Sequence, residues 1–175
     1  MQIQWDEWPI SMITTIEEEL EVKMRDPESD CYDAEYCRVE SGYSKYYEAL
    51  EMQKDEQTFM LVNRLDSAIM DVILCESAYS IVIGMKAFIR NDRKDYSDEE
   101  IFRRVDPERN NDEEYSSALL TLEERIAGAR EFFKGEKAMA LEKMLEYTGP
   151  MRKRNLISMY RGIIKTLEGL ERKWA

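Results

Sequence analysis

From Glu56 to Arg90 the apolar residues Phe59, Val62, Leu65, Ile69, Val72, Ile73, Tyr79, Ile83 and Met85 recur at helical spacing with no proline among them. Strands alternate with a period of two and seldom exceed about ten residues, so a stripe this long can be buried only as a single helix. A central helix of about 35 residues is therefore expected, and the rest of the chain must pack around it.

The remaining segments carry the same period. Glycine and proline number only 7 and 4, and the β-branched alternation of strands is missing. A first helix is expected from Thr14 or Thr15 to Arg25, with Ile13, Ile16, Leu20 and Met24 on one face and a threonine cap ahead of Glu17, Glu18 and Glu19. Asp26-Pro27 should stop it. A second helix is expected from Asp30 to Lys54, carrying Tyr32, Tyr36, Val39, Tyr43, Tyr47 and Leu50, with Gly42 as its weak point.

Beyond the central helix, Asn91 to Asp95 form a polar break. Ser97 and Glu100 have the spacing of a capping box for a short helix ending near Asp106-Pro107. Residues 106–112 read as a linker. A long helix follows with Leu119, Leu122, Ile126, Ala129, Phe133, Leu141 and Leu145, broken near Gly135, and Thr148-Gly149-Pro150 should separate it from the last helix. That helix carries Leu156, Met159, Ile163, Leu167, Leu170 and Trp174 near heptad spacing, which suits packing inside the monomer or a homodimer through residues 150–175. The expected fold is an all-α multi-helix bundle of about five to six helices. It comprises an arm over 1–13, an acidic unit over 14–106 whose first three helices pack together, and a helical hairpin over 107–175 with a basic last helix.

Charge is unevenly spread. Residues 1–60 hold 16 acids against 5 bases, residues 61–148 hold 19 against 13, and residues 149–175 hold 2 against 7, for a net charge of −12. The acidic part should repel nucleic acid and anionic lipid, dock on basic surfaces, and be held in part by the basic end of its own chain. Histidine is absent, which excludes Ser-His and Cys-His nucleophiles, the H-E-x-x-H zinc helix and the Glu-x-x-His of di-iron bundles. Cys31, Cys37 and Cys75 match no metal or redox spacing and read as reduced structural thiols. The unbroken apolar runs are too short for a membrane span, and Met1 to Glu7 do not open like a secretory signal, so a cytoplasmic location is expected.

Four constellations bear on function. Glu17, Glu18 and Glu21 form E-E-x-x-E, which resembles the first metal-binding signature of the all-α nucleoside triphosphate pyrophosphatases. That resemblance implies helical carboxylates holding Mg²⁺ around a triphosphate, with Glu48 and Glu51 in place of the family's second-helix E-x-x-D, a departure that leaves half of the signature missing. Second, Asp26, Glu28, Asp30, Asp33, Glu35 and Glu40, interleaved with Tyr36 and Tyr43, could present carboxylates at intervals like those of phosphates, or could simply be solvated acids beside inward tyrosines. Third, Trp5 and Trp8 ahead of the first helix require burial, in the chain's own core or in a partner. Fourth, Arg152, Lys153, Arg154, Arg161, Lys165, Arg172 and Lys173 give the last helix a basic face without an aromatic platform, so ion pairs within the chain are expected and direct nucleic-acid binding is not. Glu76 falls on the central apolar stripe and should find an Arg or Tyr partner in the core.

The leading expectation is a non-enzymatic inhibitor or adaptor that binds a protein through an acidic surface mimicking nucleic acid. Small acidic helical proteins of phages and mobile elements supply the analogy, with an anti-CRISPR acting on a Cas nuclease as the concrete case. A Mg²⁺-dependent nucleotide hydrolase and a structural helical oligomer are the alternatives. The leading reading requires no cofactor and no metal.

Overall fold

The structure, a computed structural model, describes residues 10–92, 94–109 and 112–174. They form six α-helices and no strand: α1 (Ile10–Arg25), α2 (Ala34–Glu51), α3 (Glu56–Ile89), α4 (Asp98–Arg109), α5 (Glu113–Phe132) and α6 (Glu136–Trp174). The chain is thus an all-α multi-helix bundle.

Aspartate side chains start three of the helices by satisfying amides that have no partner within the helix. Asp33 accepts from the Tyr36 amide at 3.0 Å, Asp55 from the Gln57 amide at 3.1 Å, and Asp112 from the Glu114 amide at 2.7 Å. The Asp33 cap moves the start of α2 to Ala34, four residues beyond the expected Asp30, and residues 26–33 make a turn instead. On α4, Ser97 accepts from the Glu100 amide at 3.3 Å, as its sequence suggests. Gly135, at φ 61°, supplies the left-handed residue that separates α5 from α6.

Three expected boundaries are corrected. α1 begins at Ile10, so Thr14 and Thr15 are interior residues rather than caps. α4 runs through Asp106-Pro107 to Arg109, because a proline in the last turn forfeits only one donor. Thr148-Gly149-Pro150 breaks nothing, and α6 is one helix of 39 residues with Pro150 inside it. An interior proline costs about 3 kcal/mol. Leu141, Met144, Met151 and Leu156 on either side are all at most 2% exposed, and burial at about 1.5–3 kcal/mol each outweighs that cost. Gly149 and Pro150 lie on the exposed side, where water can serve the orphaned carbonyl.

The packing centres on α6. α2 runs antiparallel to it, with Asp33 beside Arg154 and Ser158, Gly42 against the Tyr147 ring, and Asp55 beside Lys137. α3 runs parallel to it, pairing Thr58 with Lys137, Glu76 with Arg152, and Gly84 with Tyr160 and Ile163. Gly42 and Gly84 are points of close approach rather than weak points: a Cβ on either would overlap a neighbouring side chain. α5 packs mainly on α3 and meets α6 through Arg130 with Glu142 at 2.8 Å and Tyr115 with Arg152 at 3.2 Å, so the two helices joined by the turn run antiparallel. One core cluster draws on α1, α2, α3, α5 and α6, including Leu20, Val39, Leu65, Ile69, Leu122 and Met144. A smaller one seats α4 through Ile101 and Val105 against Ala87, Leu156 and Tyr160.

α3 is long and apolar enough to cross a membrane by length and composition, with mean hydropathy 1.7 over its most apolar 18 residues. Half of that window is buried against the other helices, the position of a core helix.

Candidate partner-binding surface and the polar seam behind it

The bases of α6 from Arg152 to Lys165 are spent inside the molecule, while Arg172 and Lys173 near its end are exposed. Arg154 reaches Asp33 at 2.7 Å and Asp98 at 2.5 Å, and Arg161 meets Asp98 at 2.7 Å. Lys153 pairs with Glu99, and Lys165 donates to the Asp30 carbonyl at 2.6 Å. This arrangement ties the α1–α2 turn and the start of α4 to one helix. Asp33 is held below the ordinary carboxylate range. Burial opposes its ionisation, but hydrogen bonds from Ser158, the Tyr36 amide and Arg154 outweigh that effect.

Deeper in, Glu76 of α3 is 1% exposed and receives Arg152 from α6 in a forked pair, at 2.8 and 3.3 Å. The Tyr115 hydroxyl of α5 donates to Glu76 at 3.2 Å and accepts from Arg152 at 3.2 Å. The sequence expectation of an Arg or Tyr partner for Glu76 holds with both. The seam continues one turn on, where the Asn155 amide donates to Ser77 at 2.6 Å, both residues being buried. Sequence reasoning missed Ser77, Asn155, Ser158 and Asp98. The first three show as polar residues set within apolar stripes, a pattern that marks a buried network once the stripe is known to be core. Asp98 carries no such signal.

The expected acidic face is only partly a surface. Tyr36 and Tyr43 are 5% and 3% exposed, so they are core residues and not anchors for a partner. Burial, and for Tyr43 the hydrogen bond at 2.6 Å to Asp66, raise both hydroxyls well above the ordinary tyrosine range. Asp33 is the α2 cap, Glu40 is paired with Arg25, and Glu35 is paired with Arg38 at 2.6 Å. What remains is the corner between α1 and α2: Asp26, Glu28 and Asp30 in the turn, with Glu18 and Glu19 on α1, all exposed. None of these five has an ion pair among the described residues. Val22, 69% exposed, lies one turn along α1 from Glu18 and Glu19. Trp5 and Trp8 lie outside the described residues.

The five glutamates of the pyrophosphatase-like reading are not gathered. Glu17 is 4% exposed and faces Ser77 of α3, while Glu51 accepts from Tyr47, whose hydroxyl also reaches Asn63 of α3. Ser77 and Asn63 are fourteen residues apart on one helix, about 21 Å at a rise of about 1.5 Å per residue. Glu18 and Glu48 face solvent. No group of three or more His, Cys, Asp or Glu among the described residues has the geometry of a metal site.

The apolar seam of the last helix is also spent within the chain, since Leu156, Met159 and Ile163 are buried. Of the residues expected to support a homodimer over 150–175, only Leu170 and Trp174, 38% and 84% exposed, face outward. No protein-family model, curated protein or solved structure matches this chain.

Proposed function

We propose that the protein is a binding module that docks the acidic corner between α1 and α2 on a basic surface of another macromolecule. The observation that carries this reading is the asymmetry of its ion pairs. Arg152, Lys153, Arg154 and Arg161 of α6 are engaged by Glu76, Glu99, Asp33 and Asp98, while Asp26, Glu28, Asp30, Glu18 and Glu19 are exposed and make no ion pair among the described residues, Lys165 reaching only the Asp30 carbonyl at 2.6 Å. Such a cluster steers association with a positively charged partner and excludes polyanions. A nucleic-acid-handling protein, with a Lys- and Arg-lined channel, is the partner class of complementary chemistry. The separation of Glu17 from Glu51 speaks against the nucleotide-hydrolase alternative.

The test is quantitative co-purification of the tagged protein and its Asp26→Asn/Glu28→Gln/Asp30→Asn variant from the same lysate, washed at low and at high salt. The substitutions keep the turn's acceptor at residue 26, used by the Glu28 amide at 3.0 Å, so stability should move by less than about 0.5 kcal/mol. A partner retained by the wild type at low salt, lost at high salt and lost by the variant is the expected result. Identical recoveries for the two proteins refute the proposal.

A further inference from the structure

α1, the middle of α3 and the start of α5 line an open pocket of about 460 Å³, with Leu74 and Glu114 at its exposed rim. Its hydrocarbon walls are Ile13 from α1 and Leu74, Ala78 and Val82 from α3. Its charged walls are all acidic: Glu17, Asp112 and Glu114, with no lysine or arginine among the described residues that line it. A mainly apolar pocket of this size with a few convergent polar groups is the usual form of a small-molecule site.

Glu17 is the group that lacks an explanation within the fold. It is 4% exposed, yet its Oε1 has no hydrogen-bond partner among the described residues. Asp112, by contrast, is occupied by the Tyr79 hydroxyl and by the amides that it caps. Buried carboxyl oxygens are normally satisfied, so an orphan at the wall of a pocket points to a donor that arrives from outside.

We propose that this pocket binds a small hydrophobic ammonium ion, its apolar body seated among Ile13, Leu74, Ala78 and Val82 and its cationic head paired with the Glu17 carboxylate. An anion would meet three carboxylates and no base. A purely apolar ligand would leave the Glu17 carboxylate without a counter-charge. An ammonium supplies both the donor and the missing counter-charge.

The local field agrees with this geometry. The Cys75 thiol at the pocket is pushed up to about 11, by burial first and then by Glu114, Asp112, Asp71 and Glu76. Glu17 titrates at about 7, raised by burial and by Glu21 and Glu18 against the Ser77 hydrogen bond. The other titratable groups facing the pocket are Cys75 and Tyr79 of α3 and Asp112 and Glu114 at the start of α5. A cationic head favours the ionised carboxylate, so ammonium affinity rises as pH climbs through about 7 and binding releases a proton.

The experiment is isothermal titration of the full chain with 4-phenylbutylammonium, 4-phenylbutan-1-ol and 4-phenylbutanoate at pH 6 and pH 8. At pH 8 the ammonium should bind at least about tenfold more tightly than the alcohol, with no heat from the carboxylate. The ammonium should also bind more tightly at pH 8 than at pH 6, while the alcohol should not change. Glu17→Gln should bring the ammonium down to the affinity of the alcohol, and Ala78→Phe, which fills the pocket, should abolish both. Glu17→Gln keeps the side-chain shape and serves as the decisive variant if Ala78→Phe fails to fold. No ammonium binding by the folded wild type, equal affinity for ammonium and alcohol, or a preference that survives Glu17→Gln would overturn the proposal.

Discussion

Arg152→Met is the perturbation that most directly tests how this bundle is held together. Arg152 reaches α3 from α6 and neutralises Glu76, whose side chain is 2% exposed, through two hydrogen bonds. Methionine retains most of the aliphatic stem and its packing, so the change removes mainly the guanidinium. Breaking a buried pair by deleting one partner costs about 3–5 kcal/mol, because the surviving charge stays in a low dielectric. The Tyr115 hydroxyl still donates to Glu76 at 3.2 Å, and a hydrogen bond to a charged group is worth about 1.5–3 kcal/mol, which places the loss near the lower end, about 3 kcal/mol. For a chain of 175 residues that corresponds to a fall in Tm of about 6–12 °C. The double variant Glu76→Gln/Arg152→Met has no buried charge left and should lose only about 1–2 kcal/mol, less than Arg152→Met alone. Urea unfolding followed by far-ultraviolet circular dichroism on the wild type and the two variants measures both quantities. A single-variant loss under about 1 kcal/mol, or a double variant less stable than the single, would refute the view that Glu76 needs Arg152 because it is buried.

Three further outcomes follow from individual side chains. Burial raises Glu17 to about 7 in the folded protein, above its unfolded value of 4.5, so the folded state binds the extra proton and stability falls as pH rises between the two values. Glu17→Gln should therefore match the wild type near pH 4 and exceed it by about 2–3 kcal/mol at pH 8, and parallel stability curves would contradict this. Gly84→Ala places a Cβ against Ile163 and 3.1 Å from the Tyr160 carbonyl, so chemical denaturation should show a loss of about 1–3 kcal/mol. Gly128→Ala meets nothing within 4 Å on an exposed face of α5 and should instead gain about 0.5–1 kcal/mol; a loss there would undercut the packing account of Gly84.

The sequence by itself determined the kind of structure. The stripe from Phe59 to Met85 required a long helix, Ser97 three residues ahead of Glu100 marked the start of α4, and Glu76 within the stripe called for a buried partner. These are local properties, written in residue type and in a period of 3.6. Tertiary structure decided how each residue was used. Pro150 reads as a break until the buried residues flanking it outweigh the lost donor. Tyr36 and Tyr43 sit among acids along the chain, yet they face the core, because their side of α2 meets its neighbours. Asp33 and Arg154 are 121 positions apart and only the antiparallel contact of α2 with α6 joins them. Packing of α2, α3 and α4 on α6 turned most of its bases into internal ion pairs and left the α1–α2 corner acidic, and packing of α1 on α3 put Glu17 at the wall of a pocket. Charge along a chain is additive and can be counted, but which charges neutralise one another depends on distances that only packing sets.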